Sequence, residues 1–408
     1  MKCGLLGRKL EHSYSPQIHS LLGNYSYELF EKEPEEIREF LLQGDFTGLN
    51  VTIPYKKDVI PYLDELSPAA KQMGSVNTIV RKQDGRLYGH NTDCYGFASM
   101  VRKTGLQLSG KKVLVLGSGG ASNTAVRVLQ ELGACVIVIS RNGDHNYQNL
   151  CNHSDASVIV NATPVGMYPD TGISPVDLSL FANLEGVLDL IYNPARTALL
   201  LDAEKKGIVA ENGLWMLVAQ AKEAAECFMG TTISDDLIGD IYRQLSAQMQ
   251  NIILVGMPGC GKTTIGKLLA EKAGKTFADS DLLITELAGK PIPQIFAEDG
   301  EETFRFWETE ALKHLGKQSG LVIATGGGCV TQNRNYPLLH QNGTIFWLKR
   351  DLDLLPTEGR PLSQQNKLAD MYALRQPQYE SFADFIVENN DTVQETIRSI
   401  LSSLEGFL

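Results

Sequence analysis

Residues 251–274, NIILVGMPGCGKTTIGKLLAEKAG, constrain the fold of this chain more than any other stretch. A β-branched apolar run enters Gly256-Met-Pro-Gly259-Cys260-Gly261-Lys262-Thr263, and Thr264 then opens a segment with apolar residues at helical spacing. The run fits G-x-x-x-x-G-K-[ST] in full and lies between a strand and a helix, the context that the motif requires. Glycines here let backbone N–H groups curl around phosphate oxygens, and the helix N-terminus adds partial positive charge. Lys262 is expected to bridge the β- and γ-phosphates of ATP, and Thr263 to ligate Mg²⁺.

A second strand–glycine–helix run, KKVLVLGSGGASNTAVRVLQELG, spans Lys111 to Gly133. Gly117-Ser-Gly119-Gly120-Ala121-Ser122 gives the G-x-G-x-x-small pattern of a dinucleotide loop. The two loops differ in length and chemistry, so they are not repeats. The strand Ala134–Ile139 leads to Arg141, where an NAD-preferring fold would offer Asp or Glu to the ribose hydroxyls. An arginine suits a 2′-phosphate, and NADP(H) is the expected cofactor.

A chain of 408 residues exceeds one ordinary core. Its net charge of −11 argues against a nucleic-acid or anionic-membrane surface. Seven scattered cysteines without a C-x-x-C, no secretory apolar region at the start and no long apolar run point to a cytoplasmic protein. Small molecules are the expected partners, and oligomeric state stays open. With no Pro- or Ser-rich linker and one helix read over residues 233–250, the boundary near residue 249 is expected to be tight.

After the first motif, Asp279-Ser-Asp281 follows a short strand-like stretch. Two aspartates at this spacing can divide labour, one toward Mg²⁺ and one accepting from a substrate hydroxyl. A helix N-cap before Leu282 is the plainer alternative. Leu321–Thr325 then runs into Gly326-Gly327-Gly328, which exposes consecutive N–H groups. With Gly300-Glu-Glu-Thr-Phe-Arg305, Gly359-Arg360-Pro-Leu and Arg375-Gln-Pro-Gln-Tyr379, the second half resembles shikimate kinase. The resemblance implies that Asp279 supports the metal and that Asp281 holds the shikimate hydroxyl as base. It further implies that Arg305 and Arg375 grip the carboxylate, the glycines at 326–328 bind ring hydroxyls, and Arg360 stabilises the transferring phosphoryl group. The stretch from Leu348 to Arg360, with Pro356, is shorter than in typical members and lacks a clear match to the arginine near adenine.

Before the dinucleotide loop, Ser13-Tyr-Ser15-Pro16 reads as a helix start, with Ser15 as N-cap and Pro16 at the first helical position. Asn50-Val-Thr52-Ile-Pro-Tyr-Lys56 reads as a strand delivering Lys56 to its C-terminal edge. Asp84-Gly85 between two β-rich runs predicts a type I′ hairpin, and counting back sets Asn77 opposite Thr92, beside Asp93. With Asn161-Ala-Thr-Pro-Val-Gly-Met167 and Gly213-Leu-Trp-Met-Leu-Val-Ala-Gln220, the first half resembles shikimate dehydrogenase. The resemblance implies that Ser13 and Ser15 bind the substrate carboxylate. Thr52, Asn77, Gln220 and Tyr192 would hold ring hydroxyls, and Lys56 with Asp93 would act at the reacting oxygen. Gly143 to Asp155 is short beside typical relatives, and Asn142 and His145 replace residues that often help hold the 2′-phosphate.

The expected architecture is therefore α/β throughout. A dehydrogenase over 1–248 has a substrate part (1–97 with 213–248) and a Rossmann-like NADP part (98–212), and a P-loop kinase covers 249–408. The expected reactions are reduction of 3-dehydroshikimate and phosphorylation of shikimate, consecutive steps toward chorismate and the aromatic amino acids. Two alternatives stay open: action on a related acid such as quinate, or one half serving as a nucleotide-binding module without turnover.

Overall fold

The structure, a computed structural model, describes residues 1–10, 13–355 and 365–405. Its contacts divide into two compact units: 1–165 with 174–192 and 202–243, and 166–173 with 193–201 and 244–408. Among the described residues no helix is long and apolar enough to cross a membrane.

The first sheet contains β1 (Lys2–Gly7), β2 (Ser26–Glu31), β3 (Gly48–Val51), β4 (Glu65–Leu66), β5 (Thr78–Arg81) and β6 (Leu87–His90), in the order β2-β1-β3-β5-β6-β4. β5 runs antiparallel to both β3 and β6, which turns the otherwise parallel sheet back on itself. The second sheet holds β7 (Lys112–Leu116), β8 (Cys135–Ile139), β9 (Val158–Asn161), β10 (Gly186–Asp189) and β11 (Val209–Glu211), all parallel, in the order β11-β10-β9-β7-β8. The third has β12 (Asn251–Val255), β13 (Thr276–Asp279), β14 (Leu321–Ala324), β15 (Gly343–Lys349) and β16 (Phe385–Glu388), again parallel, ordered β13-β14-β12-β15-β16.

The sequence patterns follow from this layering. β9, β10, β12 and β14 are buried at every position, which is why they read as unbroken apolar runs rather than alternating ones. Each glycine loop follows the strand at which the order of its sheet reverses, β7 in the second and β12 in the third. Such switch points leave a crevice beyond the strand ends.

Four local expectations need correction. The hairpin pairs Thr78 with His90 and Arg81 with Leu87, so in register Asn77 stands opposite Asn91 rather than Thr92. Gly85 N–H bonds Lys82 O and Gly85 alone in this turn has positive φ, 87°, making a three-residue loop where the type I′ form would need Asp84 at positive φ too. The first helix, Ser15–Leu22, takes Ser15 as its first residue, with Tyr14 before it and no side-chain cap bond from Tyr14. Ser13 Oγ accepts from Ser15 N–H at 3.2 Å, so the hydroxyl two residues earlier satisfies that amide. β3 stops at Val51, leaving Lys56 in the turn beyond it, and the helix read over 233–250 spans Asp236–Met249.

That helix and β12 are joined without slack. Lys275 Nζ donates to Ala247 O at 2.8 Å, Gln248 O at 3.0 Å and Gln250 O at 2.7 Å, closing the helix end against the strand start. Burial pulls its ammonium down to about 8, against three carbonyls that favour the charge. Lys275→Met, which removes the donor and leaves those carbonyls short of partners, is expected to destabilise the second unit by about 1–3 kcal/mol. Urea unfolding curves of the full chain measure this.

Candidate active sites

In the first unit the functional side chains converge where β3 and β6 end and the antiparallel β5 begins. Lys56 Nζ donates to Asp93 Oδ2 at 2.6 Å, with the carboxylate only 15 % exposed. Asp93 starts the helix Asp93–Thr104, and its N–H is capped by Asn91 Oδ1 at 3.0 Å. Asn91 is itself fixed by bonds to Ser75 O and Ser75 Oγ.

Asn77 is the hub of this site. Its Oδ1 accepts from Thr92 N–H at 2.8 Å, while Nδ2 approaches Thr92 Oγ1 and Asp93 Oδ1, each at 2.9 Å, and Gln220 Oε1 at 3.3 Å. An amide nitrogen has two protons for these three acceptors, so the contact to Gln220 is the weakest. Gln220 reaches the hub because Gly96 lets two helices touch: a Cβ there would stand 2.7 Å from Met216 O and 2.9 Å from Gln220 Cβ.

Ser13 and Ser15 lie at the start of the first helix, and the ring of Tyr14 between them meets Tyr192 edge-on with centroids 6.2 Å apart. Thr52 follows β3, its N–H bonded to Leu6 O. Lys56, Asp93, Asn77 and Gln220 thus form one bonded group, and Tyr192 joins the serine segment. Thr92, which the register argument named only as a neighbour, is a full member of the hub.

The dinucleotide loop leaves β7 at Gly117, whose φ of 107° and closeness to Ala162 O and Thr163 exclude a side chain. Ser122 Oγ ties the following helix back to Gly117 O at 2.6 Å. Gly119 and Gly120 have nothing within 4 Å of where a Cβ would lie, leaving open space before the helix N-terminus beside Ala121. Such a cradle fits the pyrophosphate of a dinucleotide. Arg141 is exposed just past β8.

In the second unit one cleft of about 490 Å³ is lined by Gly259, Gly261, Lys262, Thr263, Thr264, Asp279, Asp281 and Gly327, among others. Gly256, Gly259 and Gly261 have φ of 146°, 86° and 96°, the curled backbone that exposes amides to an anion. Cys260 is buried beneath the loop, its carbonyl accepting from Asn389 Nδ2. Lys262 Nζ rests on Gly256 O at 2.8 Å and Met257 O at 3.1 Å. Thr263 Oγ1 donates to Asp279 Oδ2 at 2.9 Å, two oxygens side by side that fit a hard divalent cation. Asp279 is also the N-cap of the helix Ser280–Ala288, accepting from Asp281 N–H, as the plainer reading has it. Burial, then the nearby Asp279 charge, raises the pKa of Asp281 from its ordinary value.

The three glycines are crowded for stated reasons. A Cβ at Gly326 would stand 2.9 Å from Asp281 Oδ1, one at Gly327 2.7 Å from Pro258, and one at Gly328 2.5 Å from Arg305. Arg375 Nη1 donates to Gly327 O at 3.2 Å, and Tyr379 OH bonds the same carbonyl. Arg360 and Pro356 lie outside the described residues.

Sequence reasoning missed Glu308. This fully buried carboxylate accepts from Arg305 Nη1 at 2.9 Å, while its Oε1 has no partner among the described residues and lies 3.2 Å from a Cβ placed on Gly326. Burial raises its pKa, and Arg305 opposes that rise. The one available signal was its spacing, three residues beyond Arg305 on the same helix.

The family model for the shikimate dehydrogenase substrate binding domain matches residues 5–79, and that for shikimate kinase matches residues 258–405. The shikimate dehydrogenase (NADP(+)) of Clostridium perfringens strain SM101 is 34 % identical over 267 residues, covering 60 % of this chain and 98 % of the relative. The chain belongs to the shikimate dehydrogenase family and carries a shikimate kinase domain.

Solved structures agree with the family over the same share. Shikimate dehydrogenase 1 from Peptoclostridium difficile is 40 % identical with a TM-score of 0.54, covering 60 % of this chain and 97 % of that one. Shikimate 5-dehydrogenase from Thermus thermophilus, solved with NADP(H) and shikimate, is 31 % identical with a TM-score of 0.54, covering 60 % and 99 %. The chain is thus an enzyme that unites the two families.

Glu308→Ala strands a mostly buried guanidinium. It is expected to lower the stability of the shikimate kinase domain toward the smaller end of the about 3–5 kcal/mol typical of a broken buried pair, because Glu301 still pairs with Arg305. Denaturant midpoints of the wild type and variant give the difference.

Proposed function

We propose that residues 1–248 reduce 3-dehydroshikimate to shikimate with NADPH, and that residues 249–408 phosphorylate the 3-hydroxyl of shikimate with ATP and Mg²⁺. Within the first part, 1–97 with 213–248 hold the substrate and 98–212 the cofactor. The observation that carries the reading is a Lys56–Asp93 pair at 2.6 Å, wired to Asn77, in a chain that also carries a shikimate kinase domain. The product of one chemistry is then the substrate of the other. The relatives named for NADP(+) and solved with shikimate support the same assignment.

Bound NADPH would supply the hydride and bound MgATP the phosphoryl group. At the redox site, hydride arrival at the carbonyl carbon leaves charge on its oxygen. The Lys56 ammonium stabilises that charge and gives up a proton to it, while Asp93 orients the ammonium. Asn77, Thr52, Gln220 and Tyr192 hold ring hydroxyls, and the weak contacts now made by Gln220 Oε1, at 3.3 and 3.4 Å, leave it free to accept from one. Ser13 and Ser15 take the carboxylate. Arg141 would pair with the 2′-phosphate.

In the kinase part, Asp281 accepts the hydroxyl proton as the oxygen attacks the γ-phosphorus and ADP departs. Its raised pKa suits a base. Thr263 and Asp279 would hold the cation, Lys262 and Arg360 would offset phosphoryl charge, and Arg305 with Arg375 would hold the carboxylate against the 326–328 backbone. The seven cysteines are free, which supports a reducing, cytoplasmic setting.

Two assays on the full chain test the reading. Lys56→Ala is expected to reduce NADP-linked shikimate oxidation by about 10²–10⁴-fold while leaving shikimate-dependent ADP release within twofold. Lys262→Ala should do the reverse. Loss of both activities in either variant, or absence of one in the wild type, overturns the assignment.

A further inference from the structure

The first helix, Ser15–Leu22, turns inward one ring that the redox chemistry leaves unused. His19 is 1 % exposed and lies flat on Tyr27, with ring centroids 4.0 Å apart and planes 10° from parallel. Burial pulls its pKa down to about 3, so the ring stays neutral around pH 7. A phenyl ring would fill this space without the desolvation that an imidazole costs. The imidazole instead makes two polar contacts: Nδ1 meets Tyr25 OH at 2.6 Å, and the ring also bonds the side chain of Asn50.

Asn50 is buried on β3 and links this ring to the Asn77 hub. Its Oδ1 accepts from Tyr27 OH at 2.7 Å, while Nδ2 reaches Asn77 O and Thr78 Oγ1, each at 3.4 Å. Thr78 Oγ1, taking that N–H, turns its own proton to Asn77 Oδ1 at 3.1 Å. Asn77 Oδ1 also accepts from Thr92 N–H, which leaves Nδ2 to face Asp93 Oδ1 at 2.9 Å. An inverted Asn77 amide would set a carbonyl against that carboxylate. The direction of each bond thus depends on the one before it. All of these residues lie in the first compact unit.

We propose that His19 is a positioning residue for the dehydrogenase reaction. Tyr25 OH donates to Nδ1, so the other ring nitrogen carries the proton and joins Tyr27 OH in donating to Asn50 Oδ1. That fixes which way the Asn50 amide points. Through Thr78 it then fixes how Asn77 presents its N–H groups to Asp93 and the substrate. The proposal rests on the reading of Asn77 as a substrate contact.

The test uses the full chain carrying His19→Phe, His19→Gln, Tyr27→Phe, Asn77→Ala or the His19→Phe/Asn77→Ala double change. His19→Phe keeps a ring on Tyr27 and removes both polar contacts. It is expected to lower kcat/KM for shikimate in the NADP-linked reaction by roughly tenfold, with KM for NADP within about twofold. His19→Gln, which can still donate to Asn50, should lie between wild type and His19→Phe. In the Asn77→Ala background the His19→Phe change should cost no more than about twofold, the non-additivity expected of residues acting through one another. Equal losses in both backgrounds overturn the proposal, as does a rise in KM for NADP that matches the loss for shikimate. Should His19→Phe fail to fold, Tyr27→Phe decides: it drops one donor to Asn50, and an unchanged kcat/KM for shikimate sinks the idea. If Asn77→Ala itself leaves shikimate kinetics at the wild-type level, the reading of Asn77 fails and takes the proposal with it. An impaired Asn77→Ala beside an unimpaired His19→Phe removes the proposal alone.

Discussion

A strand buried on both faces must hand its chain to the solvent at one end, and in this protein that hand-over builds both nucleotide loops. β7 and β12 stand at the reversal of their sheets, so neighbouring crossovers leave in opposite directions and a crevice opens beyond the strand tips. Only glycine can turn the backbone there: Gly117 lies against Ala162 O, and Gly256 lies 2.7 Å, at the Cβ position, from Leu348 O. The helices that follow start with unpaired amides facing the crevice. Every other functional residue is useful because of where these two crevices lie.

Charge is handled differently at the two sites. In the first, Asp93 is fully committed, to Lys56 through one oxygen and to Asn77 through the other, and Asn91 caps its amide. In the second, three carboxylates near the glycines, Asp279, Asp281 and Glu308, are set among three cations, Lys262, Arg305 and Arg375, and Glu308 keeps one oxygen without a partner among the described residues. Burial pushes Asp281 and Glu308 upward.

Glycine and small residues carry much of the specificity of the fold. Gly96 brings Gln220 to the Asn77 hub from more than a hundred residues away in the chain, and Gly328 leaves room for the Arg305 guanidinium. Neither function is visible at the glycine itself. Each follows from what stands opposite.

The sequence by itself determined both nucleotide loops, because a strand, a glycine turn and a helix are contiguous and each has a local signature. It also determined the α/β class, since unbroken apolar runs mark parallel strands covered on both faces, and it singled out Lys56, Asp93, Asp279 and Asp281 through short motifs. Tertiary structure alone decided the hairpin register, where a three-residue loop set Asn77 opposite Asn91, and the start of the first helix at Ser15. It alone revealed Glu308. These depend on what a side chain meets across the fold, and on one-residue differences in turn geometry that a period of two cannot resolve.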